Sequence, residues 1–392
     1  MRVLIWGSDS WANQGDDAIL AGTIASLRSA GPQVEITVAS ACPQWTERRH
    51  GVRAARRVGA TVVAALWRAD IVLWGGGQML QNESSKPFLW FHLTFISLAL
   101  ALRKPVVCYA QGAGEISGRF SRWWTAKVLN GLTPITVRDE PSAGRLAELC
   151  TRPFQVTADP SFVLEPATPD EAGAVLRSTG IARHFIAIAV RRWGHYRGGW
   201  LPVRWQRRTG SDSEQHDRFC AAVAGAADAA VERWGVDVLL VAMCPGGDQG
   251  DDAVAAQVVT QMRHPEAAYL LAPWLAPGVL KAVLGRAELV LAMRTHAAML
   301  AAGAGAPVVS ISYQGKGRAL MERLGLEGFV RTIEEVDGAS LVRLIEAGWE
   351  NRPSIRARTA RMLPELRRLA RLNAEIALKV GQRCASAATT GR

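Results

Sequence analysis

The stretch Ala287-Glu288-Leu289-Val290-Leu291-Ala292-Met293-Arg294-Thr295-His296-Ala297-Ala298-Met299-Leu300 carries the reading of the fold. Its first half is a short apolar run, the pattern of a strand covered on both faces in a parallel sheet. Its second half continues as a helix, with Arg294 and His296 at the junction. Helix N-termini attract anions because their first N–H groups have no partner within the helix. In open α/β sheets the carboxyl ends of the strands are also where ligands bind. A cation and a protonatable ring at such a junction mark an anion site.

The same grammar repeats along the chain. Strands are expected at 2–6, 34–39, 70–74, 105–109 and 135–137, then at 185–190, 236–243, 289–293 and 308–312, with helical segments between them. Proline and acidic residues gather over 159–170 and stop the alternation, which marks a linker. At 392 residues the chain exceeds one ordinary core. The expected class is α/β, with two Rossmann-like, doubly wound domains facing each other across a cleft. The N-terminal domain is read over 1–165 and the C-terminal domain over 175–350. Basic helices over 351–384 pack back across both domains, using Met362, Leu366, Leu369 and Leu372 as one apolar stripe. A disordered tail over 385–392 follows.

Composition narrows the class of partner. A chain with 49% hydrophobic and 21% charged residues folds into a globular protein. A net charge of +11 favours anionic partners such as phosphorylated substrates or a membrane surface. Nucleic acid is set aside, because neither zinc spacing nor an aromatic RNA-binding signature occurs. The six cysteines form no CxxC pair, which suits reduced thiols in the cytoplasm and argues against a disulfide framework or a metal site. Met1 leads directly into a strand, so no signal peptide is read. The apolar run 88–102 falls short of the ~20 residues that a membrane span needs. It reads as a buried helix or, with Trp90, Phe91 and Phe95, as a helix lying at the membrane surface.

Polar clusters fall just after the strands of the second domain. They are Arg191-Arg192, Cys244 to Asp248, Arg294-Thr295-His296, and Tyr313 with Lys316. Parallel strands bring these ends to one edge, where several cations and one histidine suit a small, highly charged anion. In the first domain, the turn containing Asn13, Asp16 and Asp17 joins a strand to a helix without a GxGxxG pattern. Its carboxylates either offset the helix dipole or face sugar hydroxyls. Gly75-Gly76-Gly77 is a close-approach turn. Residues 193–208 interleave aromatics, arginines and glycines in a long loop suited to covering a substrate.

These pieces, in order, resemble the polysaccharide pyruvyl transferases. The resemblance rests on Asn13-Gln14-Gly15-Asp16, Gly75-Gly76-Gly77, Gln111-Gly112, Thr136-Val137-Arg138-Asp139 and Ala158-Asp159-Pro160. Met293-Arg294-Thr295-His296 and Pro307 to Tyr313 complete it, covering roughly residues 1–330. It implies a glycosyltransferase-B-like fold and transfer of the pyruvyl group of phosphoenolpyruvate onto a sugar as a ketal, with release of phosphate. It implies that Arg138, Arg294, His296 and Lys316 hold phosphoenolpyruvate or act on it. Asn13, Asp16, Gly75, Gly76, Gln111, Arg191, Arg192, Asp248, Thr295 and Tyr313 are expected to complete the substrate site. His296 is the expected acid/base, and Asp16 or Asp248 the group that takes the sugar proton. The family carries leucine where Thr295 stands; threonine adds either an N-cap or a hydroxyl to the anion site.

Neither a metal nor a cofactor is expected, phosphoenolpyruvate being a co-substrate. The acceptor is expected to be a sugar or a lipid-linked glycan of the cell envelope, met at the inner face of the membrane. Two other readings compete: a nucleotide-sugar glycosyltransferase, with Glu334-Glu335 holding a ribose, and a non-catalytic glycan- or anion-binding protein.

Overall fold

In a computed structural model describing residues 1–7, 13–83, 85–132, 134–193, 210–246 and 250–390, the alternation resolves into two parallel sheets. The first contains β1 (Arg2–Trp6), β2 (Glu35–Ser40), β3 (Arg53–Arg56), β4 (Ile71–Gly75), β5 (Val106–Gln111), β6 (Ile135–Val137) and β7 (Phe154–Val156). Their spatial order is β3-β2-β1-β4-β5-β6-β7. The second contains β8 (Phe185–Ala189), β9 (Asp237–Val241), β10 (Ala268–Leu271), β11 (Leu289–Ala292), β12 (Val308–Ser312) and β13 (Val330–Thr332), ordered β10-β9-β8-β11-β12-β13. Strands β4, β5, β8, β9, β11 and β12 are buried at every position, because helices cover both faces of each sheet. This is the two-domain architecture read from the sequence.

Around the first sheet run α1 (Gln14–Ala30), α2 (Pro43–His50), α3 (Ala60–Arg68), α4 (Lys86–Ala101), α5 (Arg119–Asn130) and α6 (Glu140–Ala147). Helices α3, α4 and α5 bury Leu66, Leu93 and Val128 in one cluster with Trp6 and Trp74. The Trp6 ring stacks on Phe95 with centroids 3.6 Å apart. Burying side chains of this size contributes about 1.5–3 kcal/mol each. The second sheet carries α7 (Pro169–Thr179), α8 (Gly210–Trp234), α9 (Asp251–Gln261), α10 (Pro277–Gly285), α11 (Thr295–Gly303), α12 (Gly315–Arg323) and α13 (Gly338–Glu350).

One long helix, α14 (Arg352–Thr390), crosses from the second core to the first. Its buried Asn373 accepts from Thr136 Oγ1 at 2.6 Å and Thr157 Oγ1 at 2.9 Å, and donates to Ala158 O at 3.1 Å. The stripe that packs is Leu363, Leu366, Ala370, Ala374 and Leu378, whereas Met362 is 39% exposed and Leu372 only half-buried. A helix that serves two cores in turn does not keep a single hydrophobic phase. The helix also continues to Thr390, into the tail that the sequence reading leaves disordered.

The stretch 159–170 is more than a linker. Asp159, Pro160, Ser161 and Phe162 are buried, and Gly22 of α1 packs so tightly on them that a Cβ there would lie 2.1 Å from Pro160 O. Buried Gln14 ties the two domains together. Its Nε2 donates to Ala242 O at 2.7 Å, and its Oε1 accepts from Leu275 N at 3.1 Å.

Candidate active site

Between the carboxyl ends of the two sheets lies a cavity of about 500 Å³. The first domain lines it with Asn13 and Asp16 from the start of α1, Gly77 and Gln78 after β4, and Arg138 after β6. The second lines it with Arg191 after β8, Arg294, Thr295 and His296 after β11, and Tyr313 and Lys316 after β12. Parallel topology puts each domain's positions on the carboxyl edge of its own sheet, and the two edges face each other across the cavity.

His296 lies in the first turn of α11 against the first turn of α1. A Cβ on Gly15 would fall 2.5 Å from its Nδ1, so glycine is what lets the ring sit there. Its Nε2 faces Asp159 Oδ2 at 3.6 Å, an ion-pair distance longer than a hydrogen bond. Asp159 is 1% exposed and also meets Arg138 Nη1 at 3.3 Å. Burial pushes its carboxyl up, but the His296 ring, the Arg138 guanidinium and the Ser161 N–H outweigh that and hold it well below the ordinary range. Gly112 makes room for Arg138, because a Cβ there would lie 2.8 Å from Nη2. The preceding Ala110 holds a left-handed φ of 47° at a bulge in β5, a strained turn that sets this approach.

Arg294 is clamped by Asp251, with Nε to Oδ2 at 2.9 Å and Nη2 to Oδ1 at 2.5 Å. Asp251, at the start of α9, also accepts from Cys244 N at 3.0 Å. A fork held at both ends keeps the guanidinium in one orientation, with its remaining donors turned to a cavity that suits a planar anion. Arg191 Nη1 donates to the Tyr313 hydroxyl at 3.0 Å, and Lys316 Nζ donates to Gln78 Oε1 across the cleft at 3.2 Å.

Burial and neighbouring charges together set the protonation states here. Burial lowers the Lys316 ammonium, and Arg138, Arg191 and Arg294 add to that against the opposing Tyr313. Burial raises the Asp16 carboxyl more than His296, Lys316 and Arg138 lower it, which suits a group that must accept a proton. For Tyr313, burial pushes up, but Lys316, Arg191 and Arg294 bring the phenol down to about 8. Such a depressed phenol adds stability above its unfolded pKa of about 10, and that stability is lost as pH falls through about 8. Absorbance titration should show one tyrosine ionising with a midpoint of about 8 that disappears in Tyr313→Phe. A bound anion should move that midpoint up by repelling the phenolate. An early phenol surviving in Tyr313→Phe would assign the ionisation elsewhere.

Not every expected residue reaches the cavity. Gly75 is buried against β5, where a Cβ would lie 2.1 Å from Tyr109 O, and the Gly76 N–H donates to the same carbonyl at 3.2 Å. These two glycines serve strand packing, and Gly77 is the one that lines the site. Gln111 is fully buried and donates to Trp74 O at 3.1 Å. Arg192 is half-buried and its charge acts on Cys220, away from the lining residues. Thr295 is not the N-cap of α11; Arg294 is, and Thr295 Oγ1 lies buried in the lining without a hydrogen-bond partner among the described residues. Asp248 and residues 194–208 of the expected covering loop lie outside the described residues.

Asp159, Asp251, Gln78 and Glu83 were not assigned roles from sequence. The two aspartates carry a legible local signal, since each opens a helical turn. Glu83 Oε2 accepts from Gln314 Nε2 at 2.7 Å across the cleft.

Two Rossmann-like domains facing each other across a cationic cleft define a glycosyltransferase-B-like fold. The chain matches the polysaccharide pyruvyl transferase family over residues 13–315 and belongs to it. It is similar to the amylovoran biosynthesis protein AmsJ of Erwinia amylovora, at 21% identity over 432 residues, 97% of this chain and 100% of that protein. Its fold is similar to that of HepE of Anabaena, solved in complex with UDP-glucose, with TM-score 0.57, 14% identity and 100% of each chain covered. It is also similar to a glycosyltransferase from Rickettsia africae, with TM-score 0.60, 10% identity, and 97% and 98% of the two chains covered.

Proposed function

We propose that the enzyme transfers the pyruvyl group of phosphoenolpyruvate onto two hydroxyls of a sugar in a cell-envelope glycan precursor, forming a ketal and releasing phosphate. The observation that carries this reading is the convergence of Arg138, Arg191, Arg294 and Lys316 around His296 in one cavity. Phosphoenolpyruvate presents a phosphate and a carboxylate close together, and four cations beside the N-termini of α11 and α12 match that charge.

The chemistry requires a proton on the methylene carbon and attack of two sugar oxygens on the carbon beside it. The bond from that carbon to the phosphate oxygen breaks. Of the two protons lost by the hydroxyls, one balances the new methyl group and the other leaves with phosphate. His296 is placed to give or take a proton at the anion. Asp16, whose carboxyl is raised, takes the hydroxyl proton on the N-terminal wall, which we read as the acceptor side. No cofactor enters beyond phosphoenolpyruvate as co-substrate. A relative named for amylovoran biosynthesis supports a polysaccharide acceptor.

Incubation with phosphoenolpyruvate and candidate glycans should release phosphate and give a pyruvyl adduct by mass. The nucleotide-sugar reading places a ribose on Glu334 or Glu335, but neither lines the cavity and Glu335 accepts from Thr332 N at 2.8 Å. Thermal stabilisation by UDP-sugars and not by phosphoenolpyruvate would nevertheless overturn the proposal.

A further inference from the structure

Six of the nine large hydrophobic side chains exposed among the described residues stand on three helices. They are Val63 and Trp67 on α3, Phe91 and Leu98 on α4, and Phe120 and Trp123 on α5, with Trp67 68% and Trp123 58% exposed. All three helices pack on the same face of the first sheet, so their solvent sides form one surface. Trp90 meets Phe120 edge-on at 5.5 Å between α4 and α5. Lys104 Nζ, just beyond α4, donates to Trp67 O at 2.6 Å at the end of α3.

The charge carried by the three helices themselves has one sign. None of the three helices contains Asp or Glu, whereas Arg68, Arg119, Arg122 and Lys127 all stand exposed on them. Arg122 is 3.4 Å from Glu148, which follows α6. Lys127 Nζ lies 5.5 Å from the centre of the Trp123 ring, so a cation and an aromatic share one spot. Indole rings settle at the headgroup level of a bilayer, while lysine and arginine reach anionic phosphates. No helix among the described residues is long and apolar enough to cross a membrane, so this surface can only lie on one.

A second cavity of about 200 Å³ joins this face to the cleft. Phe91 belongs to both the face and this cavity, and Asp16, Met79 and Phe88 line both cavities. Its His92 is kept uncharged at neutral pH, because burial lowers the imidazole to about 4 and Arg57 adds to that. Among the described residues that line this route, Trp6, Met79, Phe88 and Phe91 are apolar, Arg57 is cationic, and Asp16 is the one carboxylate.

We infer that the α3–α4–α5 face docks on an anionic lipid bilayer, with the aromatics at headgroup depth and the arginines and lysine on lipid phosphates. The inference goes beyond the proposed reaction, and the second cavity gives it a use. A glycan acceptor with an apolar anchor would reach Asp16 while its anchor stays at the bilayer.

The test is co-sedimentation of the full chain with vesicles of phosphatidylglycerol or of phosphatidylcholine alone, without phosphoenolpyruvate. The wild type should bind the anionic vesicles and not the neutral ones, and about 0.5 M salt should release it as the screening length falls to a few Å. The triple substitution Trp67→Ser, Phe120→Ser, Trp123→Ser and the pair Arg119→Glu, Lys127→Glu should each lower the bound fraction by about ten-fold or more. Both variants should keep the wild-type unfolding temperature. Equal binding to neutral vesicles, or none to anionic ones, overturns the inference. So does a wild-type dimer that the triple substitution converts to monomer while vesicle binding is unaffected, since a second copy would then cover the face. Vesicle binding is read without turnover, so its failure is separate from failure of the pyruvyl-transfer reading.

Discussion

His296→Gln is expected to lower phosphate release from phosphoenolpyruvate by about 10²–10⁴-fold, the range that one positioned acid or base supplies. Glutamine retains the bulk and one donor but exchanges no proton near neutrality. The ring is held between Gly15 on one side and Asp159 at 3.6 Å on the other, at the rim of a cationic cavity. The proposed anion clamp includes Arg138, Arg294 and Lys316, which the substitution leaves in place. Stabilisation of the variant by phosphoenolpyruvate should therefore persist while turnover collapses. If binding and turnover fall together, His296 is a phosphate ligand and the proton comes from elsewhere. If turnover is unchanged, proton transfer does not pass through this ring.

The layout of the fold was legible wherever strands are buried on both faces. Strands β4, β5, β8, β9, β11 and β12 are buried throughout and mostly apolar, with polar exceptions such as Asp237, Gln111, Ser310 and Ser312, since each position meets a helix. The four strands that sequence reading missed, β3, β7, β10 and β13, are the four sheet edges. Each is three or four residues long, and β3 and β13 carry arginine. An edge strand has a partner on one side only and is commonly kept short and charged, which removes the pattern that would announce it. The helix α14 was visible as a helix, but its packing stripe shifts because it serves two cores.

At the site the cations were legible for a topological reason. Arg294 and Lys316 follow neighbouring strands of one parallel sheet, and Arg138 follows a strand at the carboxyl edge of the facing sheet. Their carboxylate partners obey no such rule. Asp159 comes from a turn that reads as a linker, and Asp251 from the far end of a loop in which Asp248 drew attention. Only closure of the chain brings each one beside its arginine. Gly75 and Gln111 erred the other way: a motif at a strand end was assigned to ligand, where burial between β4 and β5 assigns it to packing.

Gly15→Ala provides the second large effect, because it touches the proposed acid/base, His296, without altering any charge. Gly15 lies in the first turn of α1 with no left-handed backbone angle, so alanine fits the backbone and improves helix propensity by up to about 1 kcal/mol. The added methyl would sit 2.5 Å from His296 Nδ1, 2.8 Å from Cγ and 2.9 Å from Cβ. Three contacts including Cβ mean that rotation of the ring alone does not relieve the clash. Either α11 moves away from α1 or His296 leaves its place beside Asp159. Overpacking of this kind costs about 1–3 kcal/mol, which the helix propensity partly offsets, so unfolding should shift by only a few degrees. Misplacing a catalytic group by about 1 Å costs on the order of 10²-fold in rate, so kcat should fall by about that much. Binding of phosphoenolpyruvate, held by arginines that the methyl does not reach, should change far less than kcat. Wild-type kcat in Gly15→Ala would mean that the α1–α11 contact does not set the position of His296. A large loss of thermal stability with kcat preserved in the folded fraction would make the same contact structural and leave the placement of the acid/base to Asp159 alone.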